Sequence, residues 1–291
     1  MLQLKDAYEE CRLITKREAK NFFYAFITLP SQKRRAIYAA YAFCRHCDDA
    51  VDLDIPRKSK LEALSSLRNQ LEAAYRDRPQ GAVFTALAHS AQTYGIPEEY
   101  FQDVISGVEM DLTKNRYETF DELRLYCYRV ASVVGLICLE IFGYKDAKAK
   151  KHAIDLGLAM QLTNILRDIQ EDLNRDRIYL PQQEMEQYGY SEEDLRIGVR
   201  NDAQRRLMAF QVQRARDYFQ EGVKLLPYLS PRSRACPAVL AQLYVHILDR
   251  IKGNDFNVFN GRISLSGREK VLVTATTWLK SFLPHPQPNP T

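Results

Sequence analysis

The sequence is short of structure breakers. Twelve glycines and twelve prolines are few for 291 residues, and the prolines thicken only at the very end, from Leu283 to Thr291. Long stretches without either residue favour helices. No segment alternates polar and apolar residues for long enough to make a half-buried strand. Uncharged apolar runs are short too. The longest candidate, 130–144, contains Glu140 and falls below the length of a bilayer crossing, so no membrane span is expected. The N-terminus lacks a basic segment followed by an apolar run, which argues against a secretory signal. Charge of one sign is scarce: a net +4 is too mild for a nucleic-acid binder, though it allows a local basic pocket for an anionic substrate. Without a signal, the six cysteines are expected to be reduced, in the cytoplasm. Cys44-Arg45-His46-Cys47 is a lone CxxC with no companion ligand pair, which argues against zinc. GxGxxG, Walker and GxSxG patterns are absent, so nothing signals dinucleotide, P-loop or serine-hydrolase chemistry.

What is present is an all-α pattern. Hydrophobic content of 46% and charged content of 27% are ordinary for a globular protein with a large core. The breakers divide the chain into a bundle of about ten helices. One helix is expected over 3–28, stopped at Leu29-Pro30, and another from a Ser31 cap to Asp52. Further helices follow over 59–77, up to Tyr94, 98–112, 120–142, up to Leu173, 201–227, up to Lys252 and 266–282, with a short one capped by Ser191. We expect one domain over 1–282 and a disordered, Pro-rich tail over 283–291.

Two of these helices carry acids four residues apart. The first has Asp48-Asp49-Ala50-Val51-Asp52 and the second Asp168-Ile169-Gln170-Glu171-Asp172, with Asn164 one turn earlier. A helix turns about 100° per residue, so Asp48 and Asp52 point one way, as do Asn164, Asp168 and Asp172. On the first helix Tyr41, Arg45, Asp48 and Asp52 form one polar stripe. A solvated face with an internal Arg–Asp pair would explain that stripe as well. The Gln161–Asn164–Asp168–Asp172 column has no packing rationale and points to function. Two acidic helix faces suit hard divalent cations, Mg²⁺ or alternatively Mn²⁺, completed by substrate phosphates. Lys20, Arg45, Arg167 and Arg177 lie close by in sequence, which fits a diphosphate leaving group. The other reacting partner would be an allylic carbocation, which needs a dry, aromatic-lined cavity. Phe22, Phe23, Tyr24, Phe26, Tyr41, Tyr126, Tyr128 and Tyr244 are candidates for its walls. The nearly uncharged helix around Ala131, Ser132 and Gly135 should be central, its small residues permitting either close helix packing or a ligand.

Three stretches together resemble the squalene/phytoene synthase family of head-to-head prenyltransferases. They are Tyr-Ala-Phe-Cys-Arg-His-Cys-Asp-Asp-Ala-Val-Asp (41–52), Tyr-Cys-Tyr-Arg-Val-Ala-Ser-Val-Val-Gly (126–135) and Gln-Leu-Thr-Asn-Ile-Leu-Arg-Asp-Ile-Gln-Glu-Asp-Leu (161–173) running into Arg-Ile-Tyr-Leu-Pro (177–181). The resemblance covers about residues 10–275. It implies the isoprenoid synthase fold around one central cavity. It implies Mg²⁺ among Asp48, Asp52, Asn164, Asp168 and Asp172, and diphosphates held by Lys20, Arg45, Arg167 and Arg177. Tyr41, Arg45, Tyr126, Gln161 and Tyr244 would serve the reacting end. The implied reaction joins two identical prenyl diphosphates: one ionises, and the C2=C3 double bond of the other attacks its C1. The product is a cyclopropylcarbinyl diphosphate, which a second ionisation can rearrange. Two positions depart from the family pattern: Glu18-Ala19-Lys20-Asn21 replaces a frequent serine pair, and Val-Ala-Ser replaces Val-Ala-Gly at 130–132.

The sequence leans toward two farnesyl diphosphates and a presqualene-type product of hopanoid pathways. Two geranylgeranyl diphosphates giving phytoene, on the carotenoid route, is the alternative. NADPH would be needed only for reduction to squalene. A terpene cyclase and a non-catalytic helical assembly factor are the other readings; complete acid motifs argue against the last. No nucleic-acid partner and no C-terminal anchor are expected. The apolar substrates favour a basic face resting peripherally on the inner membrane face.

Overall fold

The structure is a computed structural model describing residues 3–19, 22–53 and 55–283. Among the described residues there are fifteen α-helices and no strands, only two isolated β-bridges. The helices are α1 Leu4–Glu18, α2 Phe22–Phe26, α3 Ser31–Asp52, α4 Arg57–Tyr75, α5 Gly81–Tyr94, α6 Glu98–Met110, α7 Phe120–Cys127 and α8 Val133–Phe142. They continue with α9 Ala149–Arg167, α10 Ile169–Leu173, α11 Gln182–Gln187, α12 Glu192–Ile197, α13 Asp202–Gly222, α14 Pro231–Gly253 and α15 Gly267–Lys280. The all-α expectation holds, with more and shorter helices than the breakers alone indicate.

Three extra boundaries and one shifted cap matter. The single helix expected over 3–28 is interrupted at Ala19 (φ −86°, ψ 48°), and α2 begins at Phe22. Ser31 does not cap α3; Pro30 occupies the cap position, and Ser31 is already helical. The helix carrying Asn164, Asp168 and Asp172 breaks at Asp168 (φ −103°, ψ 14°). The i→i+4 ladder nevertheless persists there, Asp168 N–H to the Asn164 carbonyl and Asp172 N–H to the Asp168 carbonyl, both 2.9 Å. The three side chains therefore keep a common face. Between α7 and α8 lies one π-helical turn, Tyr128–Ser132, a feature frequent at functional sites.

Together α7, the π turn and α8 form a continuous run, Phe120–Phe142, with a most-apolar window of mean hydropathy 1.7. By length and composition this run does meet the requirement for a bilayer crossing, contrary to the sequence expectation. Half of that window is buried by neighbours inside the bundle, α6 and α9 among them. Buried helices that are apolar on most sides pass the same test.

α9 is the hub. It packs on α13, α8, α14 and the π turn. Glycines allow the closest approaches. A β-carbon at Gly157 would stand 2.6 Å from Ser132 Cα, and one at Gly222 would stand 2.7 Å from Leu156 Cα. Ser132 resolves an ambiguity of the sequence here. Its side chain is buried and donates to the Ile154 carbonyl at 2.8 Å, so it ties the π turn to α9 and does not reshape the cavity. All six cysteines are free thiols; Cys47 belongs to the core and Cys44 packs against it.

Candidate active site

A cavity of about 450 Å³ runs through the bundle between α3, the π turn with α8, and α9. Its inner walls are apolar: Ile37 and Ala40 from α3, Val130, Val134 and Cys138 from the middle helix, Met160 from α9, Leu240 from α14. Its mouth carries five carboxylates, Asp48, Asp52, Asp111, Asp168 and Asp172, and three guanidinium groups, Arg167, Arg175 and Arg177. Polar end and apolar body occupy one space.

α3 contributes through two adjoining stripes. Tyr41, Cys44, Asp48 and Asp52 line the cavity, as do Ile37 and Val51, so the apolar and polar stripes read from the sequence share one wall. Arg45 does not line it. At about 100° per residue Arg45 lies on the flank of that wall, and its guanidinium pairs with Asp49 one turn on. The solvated-face reading expects an Arg–Asp pair within the stripe, whereas the partner found, Asp49, lies outside it. Tyr244 is a second correction. It is buried outside the lining, where it packs on Phe22 (ring centroids 6.1 Å), with its hydroxyl against Asn164 and Arg167. Of the proposed aromatic walls, Phe22, Phe26, Tyr41 and Tyr126 do line the cavity, whereas Phe23, Tyr24 and Tyr128 do not. On α2 only Phe22 and Phe26, four residues apart on one face, reach the cavity. Lys20 and Asn21 lie outside the described residues, as does the tail beyond Leu283.

From α9 and α10 the lining takes Gln161, Asn164, Arg167, Asp168 and Asp172. The Asn164 amide donates to Gln161 Oε1 at 3.2 Å, while its own Oδ1 is buried with no hydrogen-bond partner. Arg167, 9% exposed, grips Asp168 through two bonds of 2.8 and 2.5 Å. Arg262 reaches the other side of Asp168 at 3.1 Å, and Arg175 reaches Asp52 at 3.1 Å.

Sequence reasoning missed Asp111 and Tyr179 as site residues. Asp111 closes α6 and accepts from the hydroxyls of Tyr179 (2.8 Å) and Tyr126 (3.2 Å); Arg177 lies 3.7 Å away. Two loops are zipped together to make this contact. Ile178 N–H donates to the Asn115 carbonyl at 2.9 Å, and Gln182 N–H to the Tyr117 carbonyl at 2.9 Å. Arg116 clamps the pair through Asp176 and Glu192. The charged loop after the acids was the available signal.

The acids repel one another. The Asp48 carboxyl opens onto the cavity, but protein surrounds it deeply. Burial pushes it up to about 7, opposed by Arg45 and reinforced by Asp52 and Asp111. Burial and then Asp168 push Asp172 to about 7 as well, and burial raises Asp111. Among the described residues, no three acidic, histidine or cysteine side chains converge closely enough to hold an ion unaided. The donor set nonetheless fits a hard cation: oxygen ligands only, mutually repelling acids, and an orphaned amide oxygen beside them. Mg²⁺ characteristically uses only one or two carboxylates, with substrate phosphates supplying other ligands.

Comparison with known proteins agrees with this geometry. The family model for squalene/phytoene synthase matches residues 15–269. A 15-cis-phytoene synthase of Synechocystis is 39% identical over 290 residues, covering 96% of this chain and 86% of the relative. Among solved structures, a ligand-bound dehydrosqualene synthase superposes with a TM-score of 0.88 at 30% identity, over 96% of this chain and 98% of its own. The squalene synthase HpnC of Alicyclobacillus acidocaldarius gives a TM-score of 0.83 at 31% identity, over 87% and 96%.

Proposed function

We propose that this chain, which belongs to the squalene/phytoene synthase family and is therefore a prenyltransferase, joins two geranylgeranyl diphosphates head to head to give phytoene. The observation that carries the chemistry is the joining of an acid- and arginine-rich mouth to an apolar chamber. The sequence alone leans toward farnesyl diphosphate. The greater identity to a phytoene synthase, 39% against 30–31% for the squalene-type structures, supports the longer substrate. The squalene-type likeness keeps two farnesyl diphosphates as the second reading. The phytoene reading needs no NADPH.

In this account Arg167 and Arg177 hold diphosphate oxygens, and Arg45 reaches them only by leaving Asp49. The family uses a divalent metal to bind diphosphate. Asp48, Asp52, Asn164, Asp168 and Asp172 would hold Mg²⁺ here, where it supplies positive charge against the charge developing on the departing diphosphate. Phe22, Phe26 and Tyr41 turn aromatic faces toward the carbocation, and the apolar walls keep water from quenching it. Gln161 orients Asn164. Tyr126 and Tyr179 share a hydroxyl contact of 3.2 Å above Asp111 and fix its carboxylate. Tyr244 acts from behind, holding Asn164 and Arg167 in place.

Incubating the protein with each diphosphate and Mg²⁺, followed by mass analysis of the lipid, tests the substrate. The forty-carbon hydrocarbon should dominate when both substrates compete at equal concentration. A dominant thirty-carbon product would return the assignment to the farnesyl reading.

A lipid-facing role belongs to the same proposal, since the chains are apolar. The outer face of α15 supports it: Val271, Leu272 and Leu279 are 56%, 64% and 62% exposed, and Trp278 and Phe282 sit edge to face at 5.2 Å. Arg268 and Lys280 lie on the same helix. Such a helix suits the membrane interface, with tryptophan at headgroup level. Flotation with anionic vesicles should recover the protein, less so at high salt. Failure to float at low salt would refute the lipid contact.

A further inference from the structure

A second cleft opens off the mouth of the cavity and shares Asp111, Arg175 and Arg177 with it. Its other walls come from the start of α4 and the loop after α6, which add Arg57, Lys60 and Lys114. Among the described residues, five cations thus line the cleft with a single carboxylate, in a protein whose net charge is only +4. Two of the new cations are held in position. Lys60 Nζ donates to the Val51 carbonyl at the end of α3 (2.8 Å), and Lys114 Nζ to Glu122 (2.7 Å). Arg57 occupies the first turn of α4, a nineteen-residue helix whose positive end adds to the field. Among the described residues, the only apolar side chains in the lining are Ile55 and Leu112, too few to receive a prenyl chain.

We propose that this cleft is a metal-independent binding site for a diphosphate anion, occupied by the leaving group once it has parted from its prenyl chain. A multiply charged oxyanion matches the lysine and arginine donors, and its hydrogen bonds to them are charge-assisted. The walls shared with the cavity give the anion a continuous cationic path outward, through Arg177 and Arg175 to Lys60 and Arg57. The identity of the anion rests on the proposed reaction; the existence of the site does not.

Titrating inorganic diphosphate into the full-length protein in EDTA reads the site without turnover. One binding event is expected, weakened about tenfold or more in Arg57→Gln/Lys60→Gln, since both substitutions remove a cationic, charge-assisted donor from the cleft. Arg57→Gln alone, on an exposed side chain, should show a smaller loss at an unchanged melting temperature. The KM for the prenyl diphosphate should stay within about twofold in the double variant, because neither Arg57 nor Lys60 lines the main cavity. Absence of metal-free binding, or binding that the double variant leaves unchanged, overturns the proposal. So does a raised KM with free-anion binding intact, which would make the cleft a substrate site. Metal-free binding that both variants weaken, in a protein that turns over neither prenyl diphosphate, would uphold the cleft and refute the proposed reaction.

Discussion

Asp172→Asn should cut turnover by about 10²–10³-fold, the usual cost of removing one preorganised electrostatic partner from an active site, while making the metal-free protein more resistant to heat. The two effects have one cause. Asp172 lies inside the bundle among Asp168, Asp111 and the arginines, and its carboxyl is pushed up to about 7 by burial and then by Asp168. An unfolded-chain aspartate titrates near 3.9. The folded state therefore binds this proton more tightly than the unfolded chain does. The associated stability is complete below about 4 and drains away as pH rises through about 7. Asp48, also pushed to about 7, adds to the same decline. An amide at 172 cannot ionise, so in EDTA the variant should lose less stability between pH 5 and pH 8 than the parent, and should melt higher at pH 8. Calorimetry at the two pH values, with turnover measured in Mg²⁺, checks both halves. Retained turnover, or a lower metal-free melting temperature at pH 8, would contradict the assignment. Asp168→Asn should behave oppositely in stability. It leaves the buried Arg167 guanidinium without its carboxylate, and breaking a buried pair costs about 3–5 kcal/mol.

Gly157→Ala should be the most damaging small substitution in the chain. The added methyl would stand 2.6 Å from Ser132 Cα and 2.7 Å from the Ala131 carbonyl oxygen, both backbone atoms of the π turn. No flexible side chain can yield, so α9 and the middle helix must part, stretching the Ser132–Ile154 bond. Overpacking of this kind costs about 1–3 kcal/mol, a fall of about 2–4 °C in melting temperature for each kcal/mol. Since Gly157 and Ala131 also line the cavity, the surviving protein should turn over more slowly. Gly267→Ala is the control: its nearest neighbour is the Tyr24 hydroxyl at 4.0 Å, and alanine favours the helix by about 1 kcal/mol. A Gly157→Ala protein that melts with the parent would show that the close approach is not a constraint.

Helical periodicity made the acidic faces legible because each follows an unbroken i→i+4 hydrogen-bond ladder. Asp48 and Asp52 on α3, and Asn164, Asp168 and Asp172 across the α9–α10 junction, need only the turn of a helix to align. The fold class was legible for the same reason. What depended on distant chain segments was not. Asp111 meets Tyr179 only because the loops at 115–118 and 178–183 pair, a register that no helical period encodes. Arg45 sits where periodicity puts it, but a long side chain on the flank of a face can turn either way, and Asp49 claims it. Ser132 looked like a change to the cavity; its direction depends on a π turn, which adds a residue that a 3.6-residue period does not anticipate. The break at Ala19, before the helix that carries Phe22 and Phe26, is one that no proline or glycine marks.

The central claim is that two prenyl diphosphates are consumed for each hydrocarbon formed. Counting inorganic diphosphate against lipid product in one reaction with geranylgeranyl diphosphate and Mg²⁺ tests it directly. The account predicts two diphosphates released for every hydrocarbon, and a product with twice the carbon count of the substrate. One diphosphate per product of single-substrate carbon count would contradict it and make the protein a cyclase on the same fold.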